Sequence, residues 1–410
     1  MKISDKERWE LMPWLWVILC SLFIFLTIPL ARGIQGFVYN NIGKEAFTYI
    51  ILFVILAGLM VSVYLFAFRL GIRRPSQYIW LIICAGLYGY FTIMLKGHPE
   101  EAFHLLEYGL LSYLFFVAIS KRVHDHLIYV ISILFVFLIS ILDEFIQWMV
   151  PERFWDFKDV GTNALSSVIF MLGLWRGVQP SYINKPVRWL SVKVLLFIMT
   201  IDLFFLGFCL SNTPRVVGYY TERIRPLSWL RDEEPMVEYG YKHTDPDIGI
   251  IYSRLTLRQI KDMDTLYGDS YGLDISDALN RGITYKDLME FYKPPKDPFV
   301  YEFIIHLQRR DETLKDLEEI GGVYLNMRGI NTILKENLIL ERYFTNTLRH
   351  SGYAMPDDVL KVLKDKALMG EGMYISNVGR LITAFDLKSA WAIILIIIVA
   401  LWMGAIIHTR

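Results

Sequence analysis

Long uninterrupted apolar runs are the feature that most constrains the fold of this 410-residue chain. A helix needs about 20 apolar residues to cross the hydrocarbon core of a bilayer. Eight runs approach that length, and they are too long and too continuous to be the strands of a barrel. The sequence therefore predicts an all-α fold, in which a polytopic transmembrane helix bundle has about eight spans. The predicted spans are residues 11–30, 46–68, 78–95, 103–120, 127–149, 160–176, 190–210 and 389–407.

Charged residues are distributed unevenly along the chain. Residues 1–210 contain 17 Lys or Arg and 14 Asp or Glu, whereas residues 211–388 contain 24 and 28. The apolar first half excludes a simple cytosolic enzyme, and an aromatic content of 15% excludes a disordered protein. We expect a mostly helical extramembrane domain between the last two spans. The predicted division is 1–45 (anchor span and loop), 46–180 (membrane domain), 181–210 (seventh span), 211–388 (extramembrane domain) and 389–410 (last span).

Lys and Arg residues in the short loops predict the orientation, because cytoplasmic loops carry the excess of these residues. With the N-terminus inside, the inner loops and the two termini contain 12 Lys or Arg, from Lys2 to Arg410, and the outer short loops contain five. Both termini are therefore expected in the cytoplasm, with residues 211–388 on the extracytoplasmic side. The first apolar run is too long for a signal peptide, so we expect a retained anchor.

Local signals divide the 211–388 domain into helices. Thr256 and Gln259 have the spacing of a capping box. The pairs Asp297-Pro298 and Pro356-Asp357 resemble helix starts, and Gly352 resembles a helix stop. The regions with helical periodicity are 298–319 and 329–350, and the leading part, 211–250, is expected to be irregular.

Composition and motifs exclude several classes of protein. The formal net charge is zero, which argues against nucleic acid as a partner. No Walker loop, zinc-type cysteine pair, HExxH or GxSxG motif occurs, so we expect no cofactor. The three cysteines, Cys20, Cys84 and Cys209, all lie in apolar runs, where we expect them to pack as small hydrophobic residues.

Ionisable residues are concentrated between residues 96 and 163, at the predicted outer ends of spans three to six. Such groups are costly inside a membrane, so their presence needs a cause. His104, Glu107 and Tyr108 share one helical face by their spacing, as do Asp143 and Gln147. Because short loops join these helices, we expect the polar residues to converge in one ligand-binding pocket. The predicted ligand-binding residues are Lys96, His104, Glu107, Tyr108, Asp143, Glu144, Gln147, Arg153, Asp159 and Asn163.

Two interpretations of this pocket stay open. It is either a structural ion-pair network or a site for a polar or charged head group, with one acid acting as a proton carrier. A metal site is a minor variant, because the spacing of the His, Asp and Glu residues is not diagnostic of any metal, and none is expected. Outside the pocket, Asp202 is expected to serve helix packing. His124 and His126 are expected in a solvated inner turn, and His306 at the surface or in packing.

Three functions are compatible with the pocket. The first is a non-enzymatic envelope protein that binds a membrane lipid or a lipid-linked envelope component, while the 211–388 domain binds an extracytoplasmic protein. The second is an intramembrane enzyme acting on lipid-linked cell-wall precursors, with Arg153 and Lys96 holding phosphate. The third, a proton-coupled transporter, is disfavoured because the inner halves of the spans are nearly uncharged. The candidate catalytic residues are Glu107, Asp143, Glu144 and His104.

The order and spacing of these polar residues resemble the VanZ-like family of integral membrane proteins. The resemblance covers roughly residues 50–180, and the first span, the 211–388 domain and the last span lie beyond it. Its elements are Lys96, His104-x-x-Glu107-Tyr108-Gly109-Leu110-Leu111, Asp143-Glu144-x-x-Gln147, Pro151-x-Arg153 and Asp159-x-x-x-Asn163.

The resemblance implies a bacterial protein of the cytoplasmic membrane and of the cell envelope. The namesake of the family is linked to reduced susceptibility to glycopeptide antibiotics, especially teicoplanin, and no biochemical activity is established for the family. One departure concerns helix packing. Family members often have Gly soon after the Asn of the last element, whereas Ala164-Leu165-Ser166-Ser167 follows Asn163 here.

Overall fold

The structure is a computed structural model, and it describes residues 5–99, 101–151, 153–231, 233–294, 296–319, 327–367 and 373–408. The chain forms two compact units, Met1–Cys209 with Trp391–Arg410, and Leu210–Ala390. We call them the membrane unit and the 210–390 unit. Lys2 and Arg410, which were counted among the inner charges, lie outside the described residues.

Helices account for nearly all of the membrane unit. Within the described residues, six helical segments are long and apolar enough to cross a membrane, so the protein is a multi-pass membrane protein. They are Glu10–Asn41, Ala46–Arg69, Pro75–Gly97, Leu127–Trp148, Trp189–Ser211 and Leu387–Ile407. The first eight α-helices are α1 Asp5–Thr27, α2 Ala31–Asn41, α3 Ala46–Tyr64, α4 Pro75–Met94, α5 Phe103–Ile119, α6 Leu127–Trp148, α7 Phe157–Leu172 and α8 Trp189–Ser211.

The helices α5 and α6 pack antiparallel over their whole length and form the centre of the membrane unit. Near one end the ring of Phe116 stacks on Tyr129, with centroids 5.5 Å apart. In the middle Phe115 stacks on Phe135 at 5.0 Å. The outer surface of the unit is apolar and exposed; Phe53 of α3, for example, is 69% exposed. An apolar exterior of this kind is stable in lipid.

The helix α7 and the π-helical turn Gly173–Val178 that continues it also run along α6. The amide of Asn163 donates to Ser140 Oγ at 3.0 Å near one end. The ring of Trp175 lies 6.3 Å from that of Tyr129 near the other. Although α5 and α7 are not among the six long helices, each therefore extends along most of the length of a span-sized helix.

The 210–390 unit is largely helical, as expected, but it also contains short strands. Its helices are α9 Pro214–Thr221, α10 Leu257–Asn280, α11 Tyr285–Phe291, α12 Pro298–Glu319, α13 Met327–Tyr343, α14 Thr345–Ser351 and α15 Asp357–Lys366, followed by α16 Leu387–His408, which returns to the membrane unit. Its strands are β1 Glu238–Tyr239, β2 Tyr241–Asp245, β3 Gly249–Ser253, β4 Tyr374–Asn377 and β5 Leu381–Ile382.

Local capping signals were reliable in this unit. The predicted capping box forms, since Thr256 and Gln259 exchange side chain-to-backbone hydrogen bonds at the start of α10. The helix α12 begins at Pro298, and α14 ends at Gly352, which has a left-handed φ of 72°. The helix predicted over 329–350 is divided into α13 and α14 between Tyr343 and Thr345.

The sheet corrects the all-α expectation for this unit, and also the expectation that 211–250 is irregular. The strand β3 pairs antiparallel with β2 and parallel with β4, while β1 pairs parallel with β5. The strands β3 and β4 approach so closely that a Cβ on Gly249 would lie 2.3 Å from the carbonyl oxygen of Tyr374. Each strand has at most five residues, and the parallel partners of β1 and β3 lie more than 100 residues away, so no local pattern predicts the parallel pairings.

A buried ionic network joins α12, α13 and β4. The carboxylate of Glu336 contacts His306 Nδ1 at 2.6 Å and Arg309 Nη1 at 2.7 Å. It also accepts hydrogen bonds from Tyr374 at 2.5 Å and Ser376 at 2.8 Å. Burial alone would raise the pKa of Glu336, but the charges and donors of these partners hold it at about 2. His306 is thus a packing residue, one of the two expected roles, and it also belongs to this network.

Candidate polar site of the membrane unit

The last turns of α6 place two adjacent carboxylates, both buried, next to a shared donor. Gln147 Nε2 lies 2.8 Å from Glu144 Oε1 and 3.2 Å from Asp143 Oδ2, so one amide faces both acids. The hydroxyl of Tyr108, on α5, donates to Asp143 Oδ2 at 2.8 Å. The face shared by Asp143 and Gln147 was predicted from their spacing.

The loop after α6 folds back and supplies further donors. The guanidinium of Arg153 donates to Gln147 Oε1. The backbone N–H of Asp156 donates to Glu144 Oε2 at 3.3 Å. We refer to Tyr108, Asp143, Glu144, Gln147 and Arg153 as the polar cluster.

The first turns of α5 place two more predicted residues beside the polar cluster. His104 Nδ1 lies 3.3 Å from Glu107 Oε2. The His104 ring is 6.1 Å from the ring of Tyr108, and it lies within electrostatic range of Asp143 and Glu144. The predicted common face of this helix is thus turned towards the carboxylates of α6.

The helix α7 contributes Asp159 and Asn163 to the same end of the bundle. The carboxylate of Asp159 interacts electrostatically with Glu144 and His104, and it is partly exposed. Asn163 is buried and donates to Ser140, one helical turn from Asp143. A second ion pair, between Lys158 and Glu101 at 3.8 Å, lies at the start of the same helix.

Lys96 is the predicted site residue that is not joined to the others. Its side chain is exposed, and within the described parts of the chain no hydrogen bond or ion pair links it to the polar cluster. The enzyme hypothesis paired Lys96 with Arg153 on a phosphate, and the guanidinium of Arg153 is engaged by Gln147 instead. The geometry therefore does not favour a phosphate clamp.

Several buried polar atoms around the polar cluster have no hydrogen-bond partner among the described residues. These atoms are Asp143 Oδ1, Asn163 Oδ1, Trp155 Nε1 and His104 Nδ1, although the last lies at ion-pair distance from Glu107. A buried polar atom without a partner costs about 1–3 kcal/mol. Water or a bound molecule would supply such partners.

The unpartnered atoms at this end of the bundle suit a ligand that carries hydroxyl groups. Among the described residues no group of three or more His, Cys, Asp or Glu is arranged to hold a metal ion. The unpartnered atoms include both acceptors and a donor, and hydroxyl groups satisfy both kinds of atom. A sugar or other polyhydroxyl head group has this property.

Sequence reasoning missed the side chains that hold these helices together. The hydroxyl of Tyr88, on α4, donates to the carbonyl of Ser166 at 2.7 Å. Ser166 Oγ in turn donates to the carbonyl of Leu105 at 2.5 Å. Ser166 and its neighbour Ser167 are buried. Both are small residues, and Ser166 links α7 to α4 and α5 through these hydrogen bonds.

Two acids in the membrane unit lie outside the site. Asp125 is buried in the turn between α5 and α6, where it accepts from Ser191 Oγ at 2.5 Å and from the N–H of Leu127 at 3.1 Å. The inner turn expected to be solvated therefore contains a buried anchor. Asp202 is also buried, on α8, and neither of its carboxylate oxygens has a hydrogen-bond partner among the described residues.

A model of a known protein family matches most of the membrane unit. The polar cluster lies within a multi-pass helical membrane unit, and residues 15–179 match the family model described as VanZ/LLP1. The chain thus carries a VanZ/LLP1 family domain. No curated protein and no solved structure matches the chain.

The family domain begins earlier than the sequence pattern indicated. It includes the first span, which the resemblance over roughly 50–180 had left outside. The structure gives the physical reason, because α1 packs against the centre of the bundle. The ring of Trp14 meets Phe115 edge-on at 6.2 Å and Phe135 at the same distance.

Proposed function

We propose that the VanZ/LLP1 domain binds the polar head group of a lipid or lipid-linked component of the bacterial envelope at the polar cluster. The observation that carries this proposal is the set of buried polar atoms beside the cluster that have no hydrogen-bond partner in the described part of the chain. A purely structural network would pair such atoms internally, because leaving them unpaired costs free energy. A hydroxyl-rich head group, such as a lipid-linked sugar, would satisfy both the acceptors and the donor.

We also propose eight crossings, with both termini in the cytoplasm. The packing of α5 and α7 along α6 supports their crossing with it. Five of the six long helices precede residue 211, and seven do so if α5 and α7 are added. An odd number of crossings carries the chain from one side of the membrane to the other. Because five and seven are both odd, an N-terminus in the cytoplasm places the 211–388 domain on the extracytoplasmic side in either case. In that location the domain would bind an extracytoplasmic protein partner.

The binding proposal is tested with the full chain in lipid nanodiscs. The probe is a fluorescent polyprenyl-phosphate-linked amino sugar. The variants Asp143→Asn and Asn163→Ala each remove or replace an unpartnered acceptor, and each is expected to weaken binding about tenfold, the loss of roughly one hydrogen bond. The control is Asp125→Asn, which changes an equally buried acid at the other end of α6 and should leave binding unchanged.

Equal binding by both site variants and the control would contradict the proposal, as would a wild-type protein that does not bind. Release of the sugar from the probe would favour the intramembrane enzyme. A role in teicoplanin tolerance belongs to the same proposal. A strain that depends on this protein should lose tolerance when Glu144→Gln replaces the wild type at equal abundance in the membrane.

A further inference from the structure

A second candidate site lies in the 210–390 unit and uses none of the residues of the polar cluster. It is a cavity of about 360 Å³ between α9, the 3-10 segment Arg225–Arg231 and the loop after α11. The residues that matter for its chemistry are Arg215, Glu222, Arg231, Glu233, Lys293 and Lys296. Nothing in the sequence pattern identified this cavity, because its residues come from segments about 60 positions apart.

Among the described residues that line this cavity, cations outnumber carboxylates. Four Lys or Arg side chains line it against two Glu side chains. One of the carboxylates, on Glu222, is paired with Arg231 at 3.6 Å, and both partners are about half exposed. The excess positive charge favours an anion, and arginine in particular favours phosphate because its guanidinium donates two parallel hydrogen bonds.

The cavity is close to the end of a membrane helix along the chain. Pro214, in its lining, follows the last residue of α8, Ser211, by three positions, which limits their separation to about 10 Å. Hydrogen bonds within the 210–390 unit hold its first residues. The hydroxyl of Tyr220 donates to Asn212 Oδ1 at 3.1 Å, and that of Tyr239 donates to the carbonyl of Leu210 at 2.9 Å.

Apolar and aromatic side chains are exposed next to these cations. Tyr219 lines the cavity and is 61% exposed, with the guanidinium of Arg223 stacked 3.7 Å from its ring centre. Phe291 is 75% exposed and precedes Lys293 by two residues. Aromatic and basic residues in combination, near the end of a membrane helix, are typical of the bilayer interface.

We propose that this cavity binds the phosphate of a phospholipid head group at the membrane surface. The position of the cavity selects a lipid over a soluble phosphate, and the cation excess selects an anionic lipid such as phosphatidylglycerol. The site would tie the start of the 210–390 unit to the lipid surface.

The test is native mass spectrometry of the full chain in detergent, titrated with phosphatidylglycerol, phosphatidylcholine or inorganic phosphate. In the double variant Arg215→Ala/Arg231→Ala, the affinity for one phosphatidylglycerol is expected to fall at least tenfold. At lipid concentrations that saturate the wild type, the variant should therefore carry one phosphatidylglycerol fewer. The matched control is Arg225→Ala, since Arg225 is exposed in the same segment but does not line the cavity. The single variant Arg215→Glu serves as a second test if the double variant does not fold.

Three outcomes would overturn the proposal. The first is an equal loss of binding in Arg225→Ala. The second is unchanged binding in the double variant or, if that variant does not fold, in Arg215→Glu. The third is displacement of the lipid by millimolar inorganic phosphate. The proposal would be supported if the wild type retains phosphatidylglycerol in preference to phosphatidylcholine and only the site variants lose this preference.

Discussion

Gln147 is the residue on which the hydrogen bonding of the polar cluster depends. Its Nε2 faces Asp143 and Glu144, while its Oε1 accepts from Arg153. One amide therefore separates two buried acids and holds a guanidinium beside them. An apolar residue of similar size would leave three charged or polar groups without this partner.

The variant Gln147→Leu should consequently lower stability by about 2–4 kcal/mol, the range expected when buried charged groups lose a partner. Thermal unfolding of the full chain in detergent measures the effect. The control is Gln308→Leu, which loses only an exposed hydrogen bond to Glu312. Equal unfolding temperatures for the two variants would show that Gln147 does not hold the cluster together.

Glu336 makes the stability of the 210–390 unit sensitive to acid. Its pKa is about 2 in the folded protein and near 4.5 ordinarily, so its ionised form stabilises the fold. That stabilisation is complete above about pH 4.5 and is lost as the pH falls towards 2. The shift corresponds to a contribution on the order of 3 kcal/mol.

The variant Glu336→Gln should therefore be destabilised at pH 7, and its difference from the wild type should shrink as the pH falls from 4.5 towards 2. Chemical denaturation of the full chain across this range measures the difference. A constant difference at every pH would mean that the carboxylate does not titrate as the network requires.

At the scale of elements, Gly109 sets how closely α5 packs against its neighbours. A Cβ added there would lie 2.6 Å from the hydroxyl of Tyr88 and 3.4 Å from Ser166 Oγ. That hydroxyl is held by its hydrogen bond to Ser166 and cannot shift without breaking it. Close packing at this point depends on the absence of a side chain.

We expect Gly109→Ala to destabilise the membrane unit by about 1–3 kcal/mol, the usual cost of overpacking. The control is Gly86→Ala on α4, where a new Cβ meets no atom within 4 Å. Thermal unfolding should separate the two variants. If Gly109→Ala were as stable as Gly86→Ala, the contact of α5 with Tyr88 would not be a close one.

The elements that the sequence predicted well are those specified locally. Apolar runs gave the six long helices, and spacing gave the faces of His104 and Asp143, because helical periodicity needs no distant information. The contacts of Ser166 with Tyr88 and Leu105 were missed, since they join three helices through backbone carbonyls. The parallel pairing of β3 with β4 was missed because the two short strands lie more than 100 residues apart in the chain.

At the scale of the whole molecule, the proposed set of eight crossings depends on whether α5 crosses the membrane. In a variant without native cysteines, His98→Cys and Lys121→Cys place single labels at the two ends of α5, both in exposed turns. Impermeant maleimide on intact cells should label position 98, whereas position 121 should react only after permeabilisation. Labelling of both positions from one side would mean that α5 does not cross.

The central claim is that the unpartnered atoms beside the polar cluster bind a head group. The most direct measurement is a cryo-electron microscopy map of the full chain in nanodiscs made from native membrane lipids. The account predicts elongated density whose polar end lies within hydrogen-bond distance of Asp143 Oδ1 and Asn163 Oδ1. A map at the same resolution in which those atoms contact only water or one another would contradict it.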